Sequence, residues 1–279
     1  MLMQMRLLTL ILCLLIAKST LSQDFSGRAI YKTHRKSTIK LDSTTMAANP
    51  GIQEQLEAQM RKMFQKTFTL DFTKSESMYK EEQELDAPKV PSSNGAMVML
   101  SGSNGGNDVL YKNLSEKRMA NKKELMGKVF LIKDNLVSYD WKLTGETKNI
   151  GNYTCYKAEY EKEEENIQIE MIDGEVKEEK LTKKRTIVAW YTPDVPISNG
   201  PNNYGGLPGL ILEVNDGDQT IVCSEIVLNP KEIKEIKEPT KGKIVTRKKF
   251  GDISKEKSKE MMDRFRSRNG NGIEIKIGG

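Results

Sequence analysis

The sequence has 279 residues, of which 44 are basic and 39 are acidic, for a net charge of +5. The charges alternate in sign along the chain, as in 161–165 followed by 177–184, so they indicate solvated faces and not the one-sided basic stripe of a nucleic-acid binder. The single histidine, His34, and the absence of GxSxG and HExxH motifs argue against a serine-triad hydrolase and a multi-histidine zinc site. We therefore expect no catalytic triad, no metal, no cofactor and no nucleic-acid partner.

The first 22 residues have the three zones of a secretory signal peptide. Arg6 precedes an apolar run over 7–17, and Thr20 and Ser22 provide small side chains before a cut at Gln23. Eleven helical residues span roughly 16 Å, about half of a ~30 Å hydrocarbon core, so the run is too short for a membrane anchor. We expect an exported mature chain, in the periplasm, on the outer-membrane surface or secreted, with no transmembrane segment.

The mature chain is expected to form a single domain over 23–279. It retains two cysteines, Cys155 and Cys223, and an oxidising compartment permits a disulfide between them. Two small buried residues that never pair are the alternative, because the sequence gives no Cα separation. Cys13 follows Leu12, where lipidation requires a small residue, so cleavage before Gln23 is the favoured interpretation.

The first secondary-structure signals are two short alternating runs at 28–31 and 37–41. Asn49 and Pro50 then provide an N-cap and a first helical residue, and apolar residues at three- and four-residue spacing predict a helix near 51–65. Residues 67–72 alternate polar and apolar, which predicts a strand. Residues 86–107 lose all periodicity and predict a flexible loop.

Short strand signals then follow one another to residue 228, at 109–112, 116–120, 127–133, 136–142, 153–161, 166–172, 185–192, 209–215 and 219–228. Short turns between them indicate antiparallel pairing. Ser254 caps a predicted C-terminal helix near 254–268, with acidic residues early and arginines late. The sequence therefore predicts an α+β fold, mainly β, with a large curved, half-barrel-like antiparallel sheet on which the two helices pack.

The segment between Trp190 and Val214 is unusually rich in glycine, proline and aromatic residues. Prolines fix φ and glycines permit positive φ, so this segment can hold an irregular path that other residues would resist. Aromatic side chains beside it offer flat apolar surface to a ligand. The candidate binding residues of this loop and its rim are Trp190, Tyr191, Pro193, Gly200, Pro201, Tyr204, Gly205, Gly206, Leu207, Pro208, Gly209 and Leu210.

The run Gly206-Leu-Pro-Gly-Leu-Ile211 resembles the signature of the GLPGLI family, exported proteins found mainly in Bacteroidetes. The resemblance extends through 190–193, 200–201, 153–158, 141–143 and 241–243, and so covers most of the mature chain. The family has no established activity, so the resemblance implies export and a shared fold but no reaction.

Three functions stay open at this point. The first is a non-enzymatic envelope protein that binds an apolar ligand or an outer-membrane protein through the loop. The second is a periplasmic hydrolase that uses carboxylates or a metal. The third is a structural envelope component, in which the signature is only a rigid crossing with Leu207, Leu210 and Leu212 in the core. The sequence does not indicate an oligomeric state.

Overall fold

The computed structural model describes residues 25–35, 65–82, 108–172, 175–231 and 235–268, with side chains omitted at 164–183 and 261–268. Four predictions lie outside these residues: the signal peptide, the strand at 37–41, nearly all of the helix near 51–65 and the loop at 86–107. The described elements are β1 (Ser26–Arg35), β2 (Thr67–Thr73), β3 (Glu76–Glu81), β4 (Val109–Asn113), β5 (Arg118–Leu125), β6 (Lys128–Asn135), β7 (Lys142–Ile150), β8 (Tyr153–Ile172), β9 (Glu175–Thr192), β10 (Leu210–Asn215), β11 (Gln219–Leu228), β12 (Lys243–Val245) and α1 (Arg247–Arg268).

All twelve described strands belong to one sheet, in the order β12-β6-β5-β4-β3-β2-β1-β11-β10-β9-β8-β7. Every neighbouring pair is antiparallel except β12 and β6, which run parallel. The α+β prediction is wrong: within the described ranges the fold is mainly β, with a single helix that packs chiefly on β6. The predicted helix layer is therefore absent from the described part of the chain.

The sheet must curve, because β6 and β7 are joined by a short segment although ten strand spacings separate them. At about 4.8 Å per spacing, a flat sheet would put them roughly 48 Å apart. The seven Cα steps from Asn135 to Lys142 cover at most about 24 Å. The two ends of the sheet therefore approach one another, and residues 136–141 cross between them.

The inner face of this curve carries the main core. The Cα register places one residue from each of six adjacent strands in a single row, and all six are buried. This row is Ala29, Leu70, Tyr79, Leu110, Asn121 and Ile132. A second row beside it comprises Gly27, Phe72, Ser77, Lys112, Met119 and Asp134. Three buried polar side chains, Ser77, Lys112 and Asn121, thus lie among apolar ones, and Asp134 at the end of the second row is half-buried.

The strand bounds differ from the predictions most around β7 and β8. Residues 136–141 are the crossing segment and not a strand, and the following strand β7 was missed because it is mostly exposed and polar. The strands predicted at 153–161 and 166–172 are one strand, β8, which pairs with β9 without interruption from Tyr156 to Ile172. The sequence of β8 has charged residues at positions on both faces, so its polar and apolar residues do not alternate regularly. Alternation indicates a strand only where one face is buried, and the single long strand was therefore predicted as two.

Helix α1 begins at Arg247, seven residues before the predicted cap at Ser254. The Thr246 hydroxyl accepts a hydrogen bond from the Lys249 amide at 3.2 Å, so Thr246 is the N-cap. The Asp134 carboxylate on β6 accepts from the Arg247 amide at 3.1 Å, and this hydrogen bond lowers the pKa of Asp134. Phe250 packs edge-on against Phe130 at 5.4 Å between ring centroids. Thr246 is a local signal that the sequence analysis missed, whereas the bond to Asp134 comes from a distant strand and is not visible in the local sequence.

Cys155 on β8 and Cys223 on β11 are free, buried thiols. Two strands, β9 and β10, lie between them. Three spacings of about 4.8 Å correspond to roughly 14 Å in a flat sheet, whereas a disulfide requires a Cα separation of about 4.4–6.8 Å. The disulfide that the sequence left open is not formed in this structure.

Burial raises the pKa of Cys155 to about 11 and that of Cys223 to about 12, so neither is a thiolate near neutral pH. We expect mature protein at pH 8 to show no thiol reactive towards Ellman's reagent while folded, and two after unfolding in urea without reductant. Thiols that become reactive only after reduction would contradict the structure.

Candidate functional site

The segment between β9 and β10, residues 193–209, folds back onto the inner side of the sheet, and we call it the plug loop. Val195, Ile197 and Leu207 are buried in the two largest core clusters. The Leu210 amide donates to the Val195 carbonyl at 3.0 Å, and the Ile211 amide donates to the Asn199 carbonyl at 2.9 Å. The beginning of the loop is thereby tied to the first residues of β10.

A buried lysine from the opposite side of the curve holds the middle of the plug loop. Lys112 on β4 is 2% exposed. Its ammonium donates to the carbonyl oxygens of Gly200 at 2.8 Å, Asn202 at 2.9 Å and Tyr204 at 3.2 Å. The three N–H groups thus match three carbonyl acceptors, an arrangement that a neutral amine, with two N–H groups, cannot complete. Burial acts in the opposite direction and lowers the pKa of Lys112 to about 7.

Two glycines of the plug loop occupy places where a side chain would collide. Gly209 has φ +156°, and a Cβ there would lie 2.1 Å from the Thr192 carbonyl oxygen. A Cβ on Gly200 would lie 2.8 Å from the Ile211 Cβ. Gly209 of the signature and Gly200 before it therefore permit a close approach of the loop to β9 and β10, which is a structural role.

Four aromatic rings gather where the crossing segment meets the plug loop and β8, and we call Tyr139, Trp141, Tyr160 and Tyr204 the aromatic patch. The Tyr139 ring is central: its centroid lies 5.2 Å from Trp141, 5.3 Å from Tyr160 and 5.5 Å from Tyr204. The Trp141 indole donates to the Gly205 carbonyl at 2.9 Å. All four residues are half-buried, so the rings are held in place yet reach the surface.

Two more apolar side chains extend the aromatic patch towards the edge of the sheet. Leu143 on β7 is 61% exposed and lies opposite Ala158, between Tyr156 and Tyr160 along β8. Tyr156 is 39% exposed and lies on the same side of β8 as Tyr160. The result is an apolar surface that continues from the plug loop to the edge strand β7.

The aromatic residues predicted for the rim are only partly brought together. Trp190 and Tyr191 are consecutive on β9 and face opposite sides. Trp190 packs beneath Lys148, whose ammonium lies 4.4 Å from the ring centroid and 2.7 Å from the Glu213 carboxylate. Tyr191 is buried, and its ring centroid is 6.0 Å from that of Tyr156. Of the three predicted aromatics, only Tyr204 belongs to the aromatic patch.

The remaining predicted site residues divide between core and surface. Most of the signature is inside the protein and is not available to a ligand. Buried members are Gly200, Pro201, Leu207, Gly209 and Leu210. Exposed members are Pro193, Gly206 and Pro208, and Gly205 is half-buried.

Sequence reasoning missed Lys112, Tyr139 and Tyr160. Lys112 lies two residues from Leu110 on the strand predicted at 109–112, so the two side chains were expected on the same face. Tyr139 and Trp141 are spaced two apart and were interpreted as strand residues, although they belong to a crossing segment. Tyr160 lies beside Trp141 because the pairing of Lys142 with Glu159 brings the end of the crossing segment next to β8.

Reactive chemistry is sparse in the described ranges. His34 is exposed on β1. Among the residues described, no three His, Cys, Asp or Glu side chains gather as metal ligands would. None of the described helical residues form a helix long and apolar enough to cross a membrane.

Comparison with known proteins gives one family match. Residues 141–213, which include the aromatic patch except Tyr139 and the whole plug loop, match a family described as a protein of unknown function (Porph_ging). No curated protein matches the chain. A solved structure described as "Structure of PNGF-II in C2 space group" is similar at 15% identity, over 84% of this chain and 33% of that one, with a TM-score of 0.46. The chain thus spans about a third of that protein, and neither its fold nor its function is carried over.

Replacing Gly209 with alanine tests the close approach to Thr192. We expect Gly209→Ala to destabilise the protein by roughly 2–4 kcal/mol, because backbone must move to relieve the collision. Gly217→Ala is the matched control, since Gly217 has φ +93° but open space where a Cβ would be, and we expect about 1 kcal/mol there. Equal shifts of the two melting temperatures would contradict the geometry.

Replacing Lys112 with methionine tests the ammonium bridge. We expect Lys112→Met to lower the free energy of unfolding by about 1–3 kcal/mol at pH 7, because the Gly200 carbonyl and its neighbours lose their donor. Urea titration would measure the change, with Lys128→Met, at an exposed position, as the control.

The loss should also depend on pH. The folded pKa of Lys112 is lowered to about 7, so between about pH 7 and pH 10 the unfolded chain binds more protons at this residue than the folded chain. The wild-type contribution to stability therefore rises with pH in that window, and the difference between wild type and Lys112→Met should grow from pH 7 to pH 9. A difference independent of pH would contradict the lowered pKa.

Proposed function

We propose that this chain is an exported, non-enzymatic binding protein of the cell envelope, which contacts an apolar ligand or an outer-membrane protein through the aromatic patch. The leader sequence supports export, and the run Gly206–Ile211 supports membership of the GLPGLI family. The aromatic patch is the observation on which the binding role depends.

Three properties of the aromatic patch support a contact surface. Its rings combine large apolar area with polar tips, which is the composition of binding hot spots. The Trp141–Gly205 hydrogen bond and the packing around Tyr139 fix the rings before any ligand arrives, which lowers the entropy lost on binding. Leu143 adds exposed apolar surface beside them.

A structural envelope component is the second candidate. The burial of Leu207, Gly209 and Leu210, together with the bonds from Lys112, supports a signature that serves the core. A carboxylate- or metal-dependent hydrolase has less support, because the described residues bring no metal-ligand cluster together.

The experiment compares two surface variants of protein taken from the envelope fraction of its own host. We expect wild type to begin at Gln23 and to carry a bound lipid or protein in native mass spectrometry. Leu143→Asp should remove that material, because a carboxylate in the apolar contact must be desolvated. Met126→Asp should keep it, since Met126 is 44% exposed in the turn between β5 and β6, at the end of β6 opposite to the one from which residues 136–141 leave.

Wild type that carries nothing would contradict the binding role. So would a Leu143→Asp protein that keeps its bound material. If the protein is instead a structural envelope component, Trp190→Ala and Tyr204→Ala should change its stability without changing any binding.

A further inference from the structure

The inner face of the sheet contains a small polar cluster where it meets the plug loop. Ser77 lies directly opposite Lys112 on the neighbouring strand, and Asn121 is the diagonal neighbour of Lys112 on the other side. The Cβ atoms of directly opposite residues lie about 5 Å apart, and diagonal neighbours lie about 7–8 Å apart. Asn199 precedes Gly200, whose carbonyl binds the Lys112 ammonium. These four residues, Ser77, Lys112, Asn121 and Asn199, are the inner polar cluster, and all are buried.

The protein's own groups do not satisfy this cluster. The three Lys112 N–H groups are engaged by the plug-loop carbonyls, so this cation has none left for its neighbours. The Asn199 amide, carbonyl and Oδ1 are all paired, with Ile197, Ile211 and Gly200. The Ser77 Oγ, the Asn121 Oδ1 and the Asn199 Nδ2 are buried without a hydrogen-bond partner in the protein.

These three atoms require complementary chemistry. The Asn121 Oδ1 needs a donor, the Asn199 Nδ2 needs an acceptor, and the Ser77 hydroxyl can serve as either. Buried polar groups in folded proteins are nearly always hydrogen-bonded, to protein or to ordered water. An anion would offer no donor to Asn121, and a cation would offer no acceptor to Asn199. A small molecule that both donates and accepts fits all three.

We propose that ordered water binds at the inner polar cluster, bridging the side chains of β3 and β5 to the plug loop. The loop is then joined to the sheet by two kinds of contact, the direct ammonium bridge of Lys112 and a solvent bridge through Ser77, Asn121 and Asn199. This site is separate from the aromatic patch and does not depend on the proposed function.

The test is a crystal structure of the mature protein at about 1.5 Å, with water-to-protein transfer measured by NMR in solution. We expect at least one solvent peak within about 3.2 Å of the Asn121 Oδ1 and of a second atom of the cluster. In solution we expect magnetisation transfer from water to the Asn199 side-chain amide. The Leu131 amide, in the apolar cluster with Tyr111 and Ala120, is the internal control and should show none.

Asn121→Leu should abolish that transfer while Asn113→Leu, at a polar position whose Oδ1 is already bonded to the Glu116 amide, should preserve it. If either variant fails to fold, the wild-type measurements decide. Asn121 and Asn199 paired directly with protein atoms, with no solvent density between them, would overturn the proposal. Density larger than water, with a matching copurified mass, would overturn it in favour of a hydroxyl-bearing solute.

Discussion

One buried ammonium fixes the relation between the two halves of this protein. Lys112 comes from the β1–β6 half of the sheet, and the three carbonyls that it binds come from the loop after β9. Lys112 lies on β4, and five strands separate β4 from β9 in the sheet, namely β3, β2, β1, β11 and β10. Since a lysine side chain is short compared with that path, the bond can form only if the sheet curves and the plug loop lies within the curve.

The aromatic patch is built around the same loop. Its rings come from the crossing segment, from β8 and from the plug loop; the segment enters β7, which pairs with one side of β8, and the loop follows β9, which pairs with the other side. The Tyr31 hydroxyl adds a second tie, since it donates at 2.8 Å to the Ile211 carbonyl beside the register shift of β10. The surface proposed to bind a partner is therefore supported from within by bonds to a fixed loop.

The sequence predicted most of the strands but not the fold class or the key contacts. The strand signals at 67–72 and 109–112 were readable from the residue types, although β2 and β4 bury residues on both faces. The charged strands β8 and β9 and the exposed strand β7 lack so clear a pattern, and the bond to Asp134 at the start of α1 comes from β6. The glycines and prolines correctly marked 193–209 as a defined irregular path. They could not show that Tyr139 and Tyr160 meet Tyr204, although the strand predicted at 185–192 already places the consecutive residues Trp190 and Tyr191 on opposite faces.

The central claim is that the Lys112 ammonium keeps the plug loop closed against the sheet, and amide hydrogen exchange in the loop measures this directly. We predict that at pH 6, where Lys112 is charged, the amide of Tyr204, which donates to the Pro201 carbonyl, exchanges at least about tenfold faster in Lys112→Met than in wild type, because the loop opens without unfolding the sheet. Amides of β6 should exchange equally in both proteins. Equal exchange of the loop amides in the two proteins would show that the loop is held by other contacts and would contradict the account.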